Sequence, residues 1–385
     1  MAKQKKKKEH RVRHKIFYTL VIPLVRLFVK IKFRYKYKKA KKLPKNYIVV
    51  SNHTTDFDPL FVASSFNKQM YFVASEHITR WGTAYKLLDY FLAPIIRYKG
   101  TVGASTVMEV LRKVKRGDSV CIFAEGVRSW NGETGSILPS TAKMIKSAKC
   151  GLVTYKITGG YFVSPNWSTS KCRKGYVSGA PVNIYSKEDI EKMSEDEIYK
   201  IIKSDIYEEA SNTQLILNKR YKGKGIAEGI ENLLFKCPDC KCMDSLKSSG
   251  DGVVCLSCGH KFKYTEYGFL EGTKFKTIYD GYKWLEKEID SDIKNNVDYI
   301  SPNSVLNSIQ LDHSKLKISS GKVVMNGNLL KCGEVEFKME DIIDMAIYGK
   351  YGLVFSANGE YYELLPERNG SVYKFLLYYK IFKKK

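Results

Sequence analysis

The sequence predicts an α/β domain, with a mixed sheet flanked by helices, followed by a small cysteine module and an antiparallel β module capped by a helix. Three observations indicate this order. Apolar, strand-like segments alternate with helical segments over residues 43–220. Two closely spaced cysteine pairs lie within residues 236–262. From residue 303 onward the segments become short and alternating, as antiparallel strands do, and a final helix follows over 371–382.

The α/β region begins with the apolar run 47–50, which predicts a buried strand leading into the loop at His53. Further strands are predicted over 70–74, 120–124 and 151–157, and helices over 85–92, 106–115, 141–148 and, as a surface pair, 187–209. Reactive residues of such sheets gather in the loops beyond the strand ends. His53 and Glu125 both follow a predicted strand, so we expect the site in these loops.

Five segments follow from the changes of pattern. We predict a basic arm over 1–42, the α/β domain over 43–220, the cysteine module over 221–275, a helical linker over 276–302 and the β module over 303–385. Asn326-Gly327 and Asn358-Gly359 predict tight hairpin turns, because these dipeptides favour positive φ. In its predicted shape the β module resembles a PH- or GRAM-like module, and its role is left open.

Positive charge is concentrated at the N-terminus. The formal charge of the chain is +25, and residues 1–42 carry seventeen Lys or Arg against one acid, Glu9. Such an excess attracts a polyanion, which means nucleic acid or an anionic membrane leaflet. The apolar run 16–29 is shorter than the roughly 20 residues that span a bilayer. Lysines flank this run, which predicts an interfacial helix on the membrane surface; the alternative is a basic tail on an ordinary buried helix.

A histidine and an aspartate form the first candidate motif, NHTTDFD. His53 and Asp58 are five positions apart, which on an ideal helix separates two side chains by about 140°. They can meet only if His53 precedes a helix and Asp58 lies in its first turn, as Pro59 favours. The carboxylate would then fix the imidazole tautomer, and the other nitrogen could act as a general base on a hydroxyl. Asp56 is a competing partner, and a purely structural His–Asp pair is the alternative.

The second candidate motif, FAEGVRS, follows the predicted strand 120–124. Arg128 offers a planar fork of donors that suits a phosphate, and Gly126 lets the backbone approach closely. Glu125 could orient either Arg128 or a substrate hydroxyl. The alternative is an Arg–Glu pair in an ordinary surface turn.

Together the two motifs resemble those of the PlsC-like glycerolipid acyltransferase family. NHTTDFD matches the family's NHxxxxD motif, and FAEGVRS matches its PEGTRS-like block. Arg97, in the segment APIIR, corresponds to the charge of the arginine block. Residues 152–155 correspond to the fourth motif but lack its usual proline. The resemblance covers residues 15–215, with departures at Ala124 and Val127 that leave the acceptor open.

The resemblance implies an α/β acyltransferase fold and acyl transfer at a membrane surface. It implies that His53 is the base and that Asp58 orients it. The donor would be acyl-CoA or acyl-carrier protein, and the acceptor a phosphate-bearing glycerolipid such as lysophosphatidic acid. The residues that would bind the acceptor are Asn52, Arg97, Glu125, Gly126, Arg128 and Ser129.

Four cysteines predict a metal site with the spacing C-x2-C-x14-C-x2-C. Two tight turns can offer four thiolates to tetrahedral zinc, and a site filled entirely by protein ligands predicts a structural Zn2+ rather than a catalytic one. Cys242 and His260 are rival ligands nearby. The predicted ligands are Cys237, Cys240, Cys255 and Cys258.

Three classes of function compete. A membrane-surface acyltransferase explains both motifs and the apolar run. A nucleic-acid-binding zinc-ribbon protein with a basic arm explains only the cysteines and the charge, and an inactive acyltransferase-fold scaffold would be favoured if His53 or Asp58 were missing. We therefore expect an anionic membrane surface, a lysophospholipid acceptor and an acyl donor as partners, and not nucleic acid. Nine cysteines without a secretory signal favour a reducing compartment over a disulfide framework. The lysine-rich composition and the lack of a eukaryotic targeting signal favour a bacterial protein, which we expect to be peripheral or monotopic on the cytoplasmic face of the cell membrane.

Overall fold

The computed structural model describes residues 10–97, 103–310, 314–349, 351–366 and 370–384; the first nine residues of the predicted arm lie outside this range. The helices are α1 (Arg11–Phe33), α2 (Asp58–Ser64), α3 (Thr83–Leu92), α4 (Ala104–Lys115), α5 (Ser140–Ala148), α6 (Gly160–Val163), α7 (Lys187–Lys192), α8 (Glu195–Asp205), α9 (Ala210–Leu217), α10 (Ile278–Lys294) and α11 (Tyr373–Phe382).

The strands form three sheets along the chain. They are β1 (Lys36–Tyr37), β2 (Tyr47–Ser51), β3 (Met70–Ser75), β4 (Ile95–Arg97), β5 (Ser119–Phe123), β6 (Gly151–Thr158), β7 (Ser178–Tyr185), β8 (Leu246–Ser249), β9 (Gly252–Cys255), β10 (Lys261–Tyr264), β11 (Leu270–Glu271), β12 (Tyr299–Ile309), β13 (Lys315–Asn326), β14 (Leu329–Cys332), β15 (Val335–Lys338), β16 (Ile342–Tyr348), β17 (Gly352–Ala357) and β18 (Glu360–Pro366).

The first sheet confirms the predicted mixed α/β architecture. Its strand order is β1-β7-β6-β2-β5-β3-β4; the strands from β6 to β4 are parallel, whereas β7 is antiparallel to β6. Successive residues of β2 face opposite sides of this sheet. Tyr47 and Val49 belong to the core shared with α1 and α2, and Ile48 and Val50 to the core shared with α4, α5 and α8. Helices therefore cover both faces, which explains why the central strands are apolar throughout.

The predicted elements of this domain are all present, and their bounds lie within two residues of those expected, except that the surface helix pair predicted to end at residue 209 ends at Asp205. The surface helix pair is α7 and α8. Ser186 and Ser194 begin these two helices, and each accepts a hydrogen bond from a backbone N–H of the first turn.

The structure differs from the prediction at the boundary of the basic arm. Strand β1 pairs with β7 at the edge of the first sheet, and α1 packs against α2. One face of α1 is buried in the domain, including Tyr18, Val29 and Phe33. Residues 11–42 therefore belong to the α/β domain rather than to a separate arm. Within the described ranges, no helix is both long and apolar enough to cross a membrane.

The C-terminal half contains the predicted cysteine module and antiparallel β module. The order of the four-stranded sheet is β11-β10-β9-β8, and that of the seven-stranded sheet is β15-β14-β13-β12-β18-β17-β16. The β17–β18 hairpin turns at Asn358 and Gly359, whose φ angles of 53° and 81° explain the Asn-Gly pair. Helix α10 occupies the predicted linker but packs on α11 with its apolar face buried, so this segment is part of the core rather than a linker.

Candidate active site

His53 and Asp58 meet at the junction between β2 and α2. Strand β2 ends at Ser51, and α2 begins at Asp58, directly before Pro59. The distance from His53 Nδ1 to Asp58 Oδ2 is 2.8 Å. Asp56, the competing partner, is instead paired with Arg128, whose Nε lies 3.2 Å from Asp56 Oδ1.

The Asp58 carboxylate is fully buried and accepts several hydrogen bonds from the loop that carries His53. Oδ2 accepts the backbone N–H groups of Thr54 and, at 2.9 Å, Thr55. Oδ1 accepts the hydroxyls of the same two threonines, both at 3.0 Å. A buried carboxylate is costly without such donors, so the network favours one conformation of the loop. The sequence analysis missed both threonines, although they lie directly between the motif residues.

The imidazole of His53 has one nitrogen occupied and one available. Its ring stacks on Phe123, with 4.4 Å between the ring centroids and 21° between the planes. About a fifth of the side chain is exposed (20%). Among the described residues, none forms a hydrogen bond with Nε2. This nitrogen could therefore accept a proton from a ligand hydroxyl.

The Glu125 carboxylate accepts hydrogen bonds from two backbone N–H groups of the site. Its Oε1 accepts the N–H of His53 and its Oε2 accepts the N–H of Gly135, both at 2.6 Å. Burial raises the pKa of Glu125 to about 8, while the two N–H donors act to lower it. The expectation that Glu125 orients Arg128 is replaced by a different role, because the carboxylate connects the His53 loop to the loop after β5.

Arg97 and the FAEGVRS motif are in contact, although they are distant in sequence. Gly126 has φ of 68°, and a Cβ atom at this position would lie 2.0 Å from Arg97 Nη1. Only glycine therefore leaves room for the guanidinium and adopts this φ without strain. Arg128 lies two residues further along the same loop, which follows β5, and β4 and β5 lie on the same side of β2 in the strand order.

Asn52 and Ser129 are present at the site but are buried, with their side chains bonded within the protein. The Asn52 amide bonds both the N–H and the C=O of Ile157, each at 2.8 Å, and so joins the end of β2 to β6. Ser129 donates its hydroxyl to Glu133 O at 2.7 Å, and its N–H donates to His53 O at 2.9 Å. These bonds position the loops of the site, and contact of either side chain with a substrate stays a prediction.

The four predicted metal ligands come together in the cysteine module. Their sulfur atoms all lie within 4.8 Å of one another, a group that could hold a metal ion. Cys242 and His260, the rival ligands, are not part of this group. The ligating group consists of Cys237, Cys240, Cys255 and Cys258.

Comparison with known proteins gives one family match. Residues 34–158 match the family model described as Acyltransferase. A search of the curated proteins finds no match. Among solved structures, the chain is similar to the 1-acyl-sn-glycerophosphate (LPA) acyltransferase PlsC from Thermotoga maritima, with 18% identity, a TM-score of 0.41, and coverage of 49% of this chain and 79% of that one. The matched residues include β2, the His53–Asp58 pair and the FAEGVRS motif, so the similarity to the acyltransferase family covers the residues of the candidate site.

Proposed function

We propose that this protein is a glycerolipid O-acyltransferase. It transfers a fatty acyl group from acyl-CoA or acyl-carrier protein to the hydroxyl of a phosphate-bearing glycerolipid, such as lysophosphatidic acid, at a membrane surface. The observation that carries this proposal is the His53 imidazole, which is bonded to the buried Asp58 through Nδ1 and has no hydrogen bond to Nε2 among the described residues. An inactive scaffold does not require this arrangement, and a nucleic-acid-binding protein does not explain it.

The proposed reaction is direct transfer with general-base catalysis. His53 Nε2 takes the proton of the acceptor hydroxyl as its oxygen attacks the thioester carbonyl carbon. The new ester bond forms, the carbon–sulfur bond breaks, and the proton passes from the imidazolium to the departing thiolate. Asp58 stabilises the imidazolium through Nδ1 and keeps the ring in the required tautomer.

The acceptor phosphate would lie against Arg97 and Arg128. Both offer a fork of N–H donors, which can bind two phosphate oxygens at once. Asp56 holds Arg128 Nε and leaves the rest of the guanidinium for the ligand. Glu125 and Ser129 support this pocket indirectly, because their bonds set the distance between the His53 loop and the loop after β5.

The outer face of α1 supports attachment to a membrane. Leu20 and Leu24 are 68% and 66% exposed, and further apolar side chains along the same helix are also exposed. Phe17 stacks on Phe91 of α3, so the exposed apolar side chains of α3 extend the surface of α1. An apolar surface beside basic residues suits the headgroup layer of an anionic leaflet. On this proposal, the protein lies on the cytoplasmic face of a bacterial membrane.

The cysteine group fits a structural Zn2+. Four thiolates suit tetrahedral zinc, and four protein ligands would fill its coordination. Bound zinc would connect the two cysteine pairs and stabilise the four-stranded sheet. It would take no part in the transfer.

His53→Ala should abolish acyl transfer, because the acceptor hydroxyl loses its base. We expect the rate to fall by about 100-fold or more, as measured by mass spectrometry of the product from acyl-CoA and lysophosphatidic acid. The exposed His10 provides the control, and His10→Ala should retain full activity. Transfer by a folded His53→Ala protein at the normal rate would contradict the proposed role.

Gly126→Ala should weaken binding of the acceptor, because the new methyl group displaces the Arg97 guanidinium. We expect KM for the acceptor to rise about tenfold, in line with the loss of one charged hydrogen bond. Gly117→Ala is the matched control, since Gly117 also has positive φ but has no neighbour within 4 Å of an added Cβ. If the two substitutions raise KM equally, the cause is backbone strain and not displacement of the Arg97 guanidinium.

Leu20→Glu combined with Leu24→Glu should detach the protein from vesicles of anionic phospholipid. Two exposed leucines lose their apolar contact with the acyl chains, so we expect the floated fraction to fall about tenfold. Leu256→Glu, at a comparably exposed leucine of the cysteine module, should leave flotation unchanged. If the α1 variant floats as well as the original protein, this face does not bind the membrane.

Zinc analysis should find about one ion per chain in protein purified without added metal. Cys240→Ser should lower this content and the thermal stability together, because a structural ion contributes to folding. Cys242→Ser is the control and should keep the ion. A zinc content near zero in the folded original protein would exclude the proposed metal.

A further inference from the structure

A second basic region lies at the edge of the first sheet, in a cleft of about 470 Å³. Strands β1, β6 and β7 supply most of its lining, and no lining residue is acidic. The polar side chains that matter for its chemistry are those of Lys36, Lys38, Lys156, Thr158 and Ser178.

The cleft carries positive charge that the protein balances only in part. Lys156 Nζ lies 3.3 Å from the buried carboxylate of Glu208. Lys36 and Lys38 are exposed, and neither has an ion-pair partner among the residues that the structure describes. Lys219 Nζ lies 5.9 Å from the ring centroid of Tyr176, which also lines the cleft, and adds a further charge nearby.

The available donors suit a phosphate group. Ammonium groups provide charge and several N–H donors, and the hydroxyls of Thr158 and Ser178 can donate to the same ligand. A phosphate has several acceptor oxygens and so can use donors from more than one direction. Because the lining contains lysines and no carboxylate, the cleft attracts an anionic ligand and repels a cationic one.

The cleft lies at the same end of the sheet as His53. Lys36 is aligned with Ser178 across β1 and β7, and Ser178 with Thr158 across β7 and β6. Strand β6 neighbours β2, which leads directly to His53. Three strand spacings separate β1 from β2, which corresponds to roughly 15 Å.

Glu208 connects the cleft to the active site. Its carboxylate lies 3.4 Å from the Thr158 hydroxyl in addition to its contact with Lys156. Its backbone exchanges hydrogen bonds with Thr134, and the next residue, Gly135, donates to Glu125. The cleft is thus part of the structure that holds the catalytic loops.

Basic residues therefore lie toward both edges of the sheet, with the strand that leads to His53 between them. Arg97 lies on β4, toward one edge, and the lysine cleft lies at β1, the opposite edge. We propose that this cleft binds the nucleotide phosphates of a coenzyme A thioester. The inference rests on the proposed function and assigns the donor half of that site.

In coenzyme A, the extended pantetheine arm separates the thioester from the nucleotide phosphates. A thioester placed at His53 therefore requires a phosphate site at a distance from His53.

Calorimetric titration with coenzyme A tests the proposal without turnover. The variant combines Lys36→Gln with Lys38→Gln, which removes two exposed charges and keeps the Lys156–Glu208 pair. We expect its affinity for coenzyme A to be about tenfold weaker, while pantetheine, which lacks the nucleotide phosphates, binds all proteins alike. Lys247→Gln with Lys263→Gln removes the same charge from exposed positions of the cysteine module and should bind coenzyme A normally.

Equal affinity of the lysine variant and the original protein for coenzyme A would overturn the proposal, as would no binding by the original protein. Flotation with phosphatidylglycerol vesicles distinguishes the source of the phosphate. If the lysine variant loses flotation but keeps its affinity for coenzyme A, the cleft binds lipid headgroups and the proposal is wrong. A protein that binds coenzyme A through these lysines yet transfers no acyl group would contradict only the proposed function.

Discussion

The buried carboxylate of Asp58 is the constraint on which the candidate site depends. It lies at the first position of α2, fully removed from solvent, and accepts hydrogen bonds from the backbone and hydroxyls of Thr54 and Thr55 as well as from His53. Each bond satisfies a group that would otherwise be buried without a partner. The turn between β2 and α2 therefore has one favourable conformation, and that conformation presents the imidazole with Nε2 available.

The remaining parts of the site are attached to this turn. The Glu125 carboxylate accepts a hydrogen bond from the His53 N–H, and the Ser129 N–H donates to the His53 C=O. These two bonds hold the loop after β5 against the backbone of His53. The next residue, Trp130, stacks on Tyr373 of α11, with 4.3 Å between the ring centroids. The C-terminal region thus packs directly against the loop that carries Arg128, which gives residues 303–385 a structural connection to the proposed chemistry.

Much of the fold could be predicted from the sequence because its signals are local. Apolar runs mark the central strands, Asn358-Gly359 marks a hairpin, and the five-residue offset of His53 and Asp58 requires a strand–helix junction. The cysteine spacing likewise predicts the metal group. These features depend on neighbouring residues and so remain visible without the tertiary structure.

The missed features depend on contacts between distant segments. Nothing local indicates that Asp56 pairs with Arg128, or that Glu125 bonds two backbone N–H groups instead of an arginine. The short strand β1 falls within the predicted basic arm, because two residues carry too little periodicity to predict an edge strand. Helix α10 falls within the predicted linker for a similar reason, since its apolar face is buried through packing on the distant α11.

The most direct test of the account is a double-mutant cycle between His53 and Asp58. If Asp58 acts by positioning and stabilising His53, Asp58→Asn should lower kcat by about 100-fold or more in the original protein with little change in KM for either substrate. The same substitution should have no further effect on the residual rate of the His53→Ala protein. Circular dichroism and urea unfolding identify the variants that remain folded. Normal kcat in a folded Asp58→Asn protein, or independent and additive effects of the two substitutions, would contradict the central role of this pair.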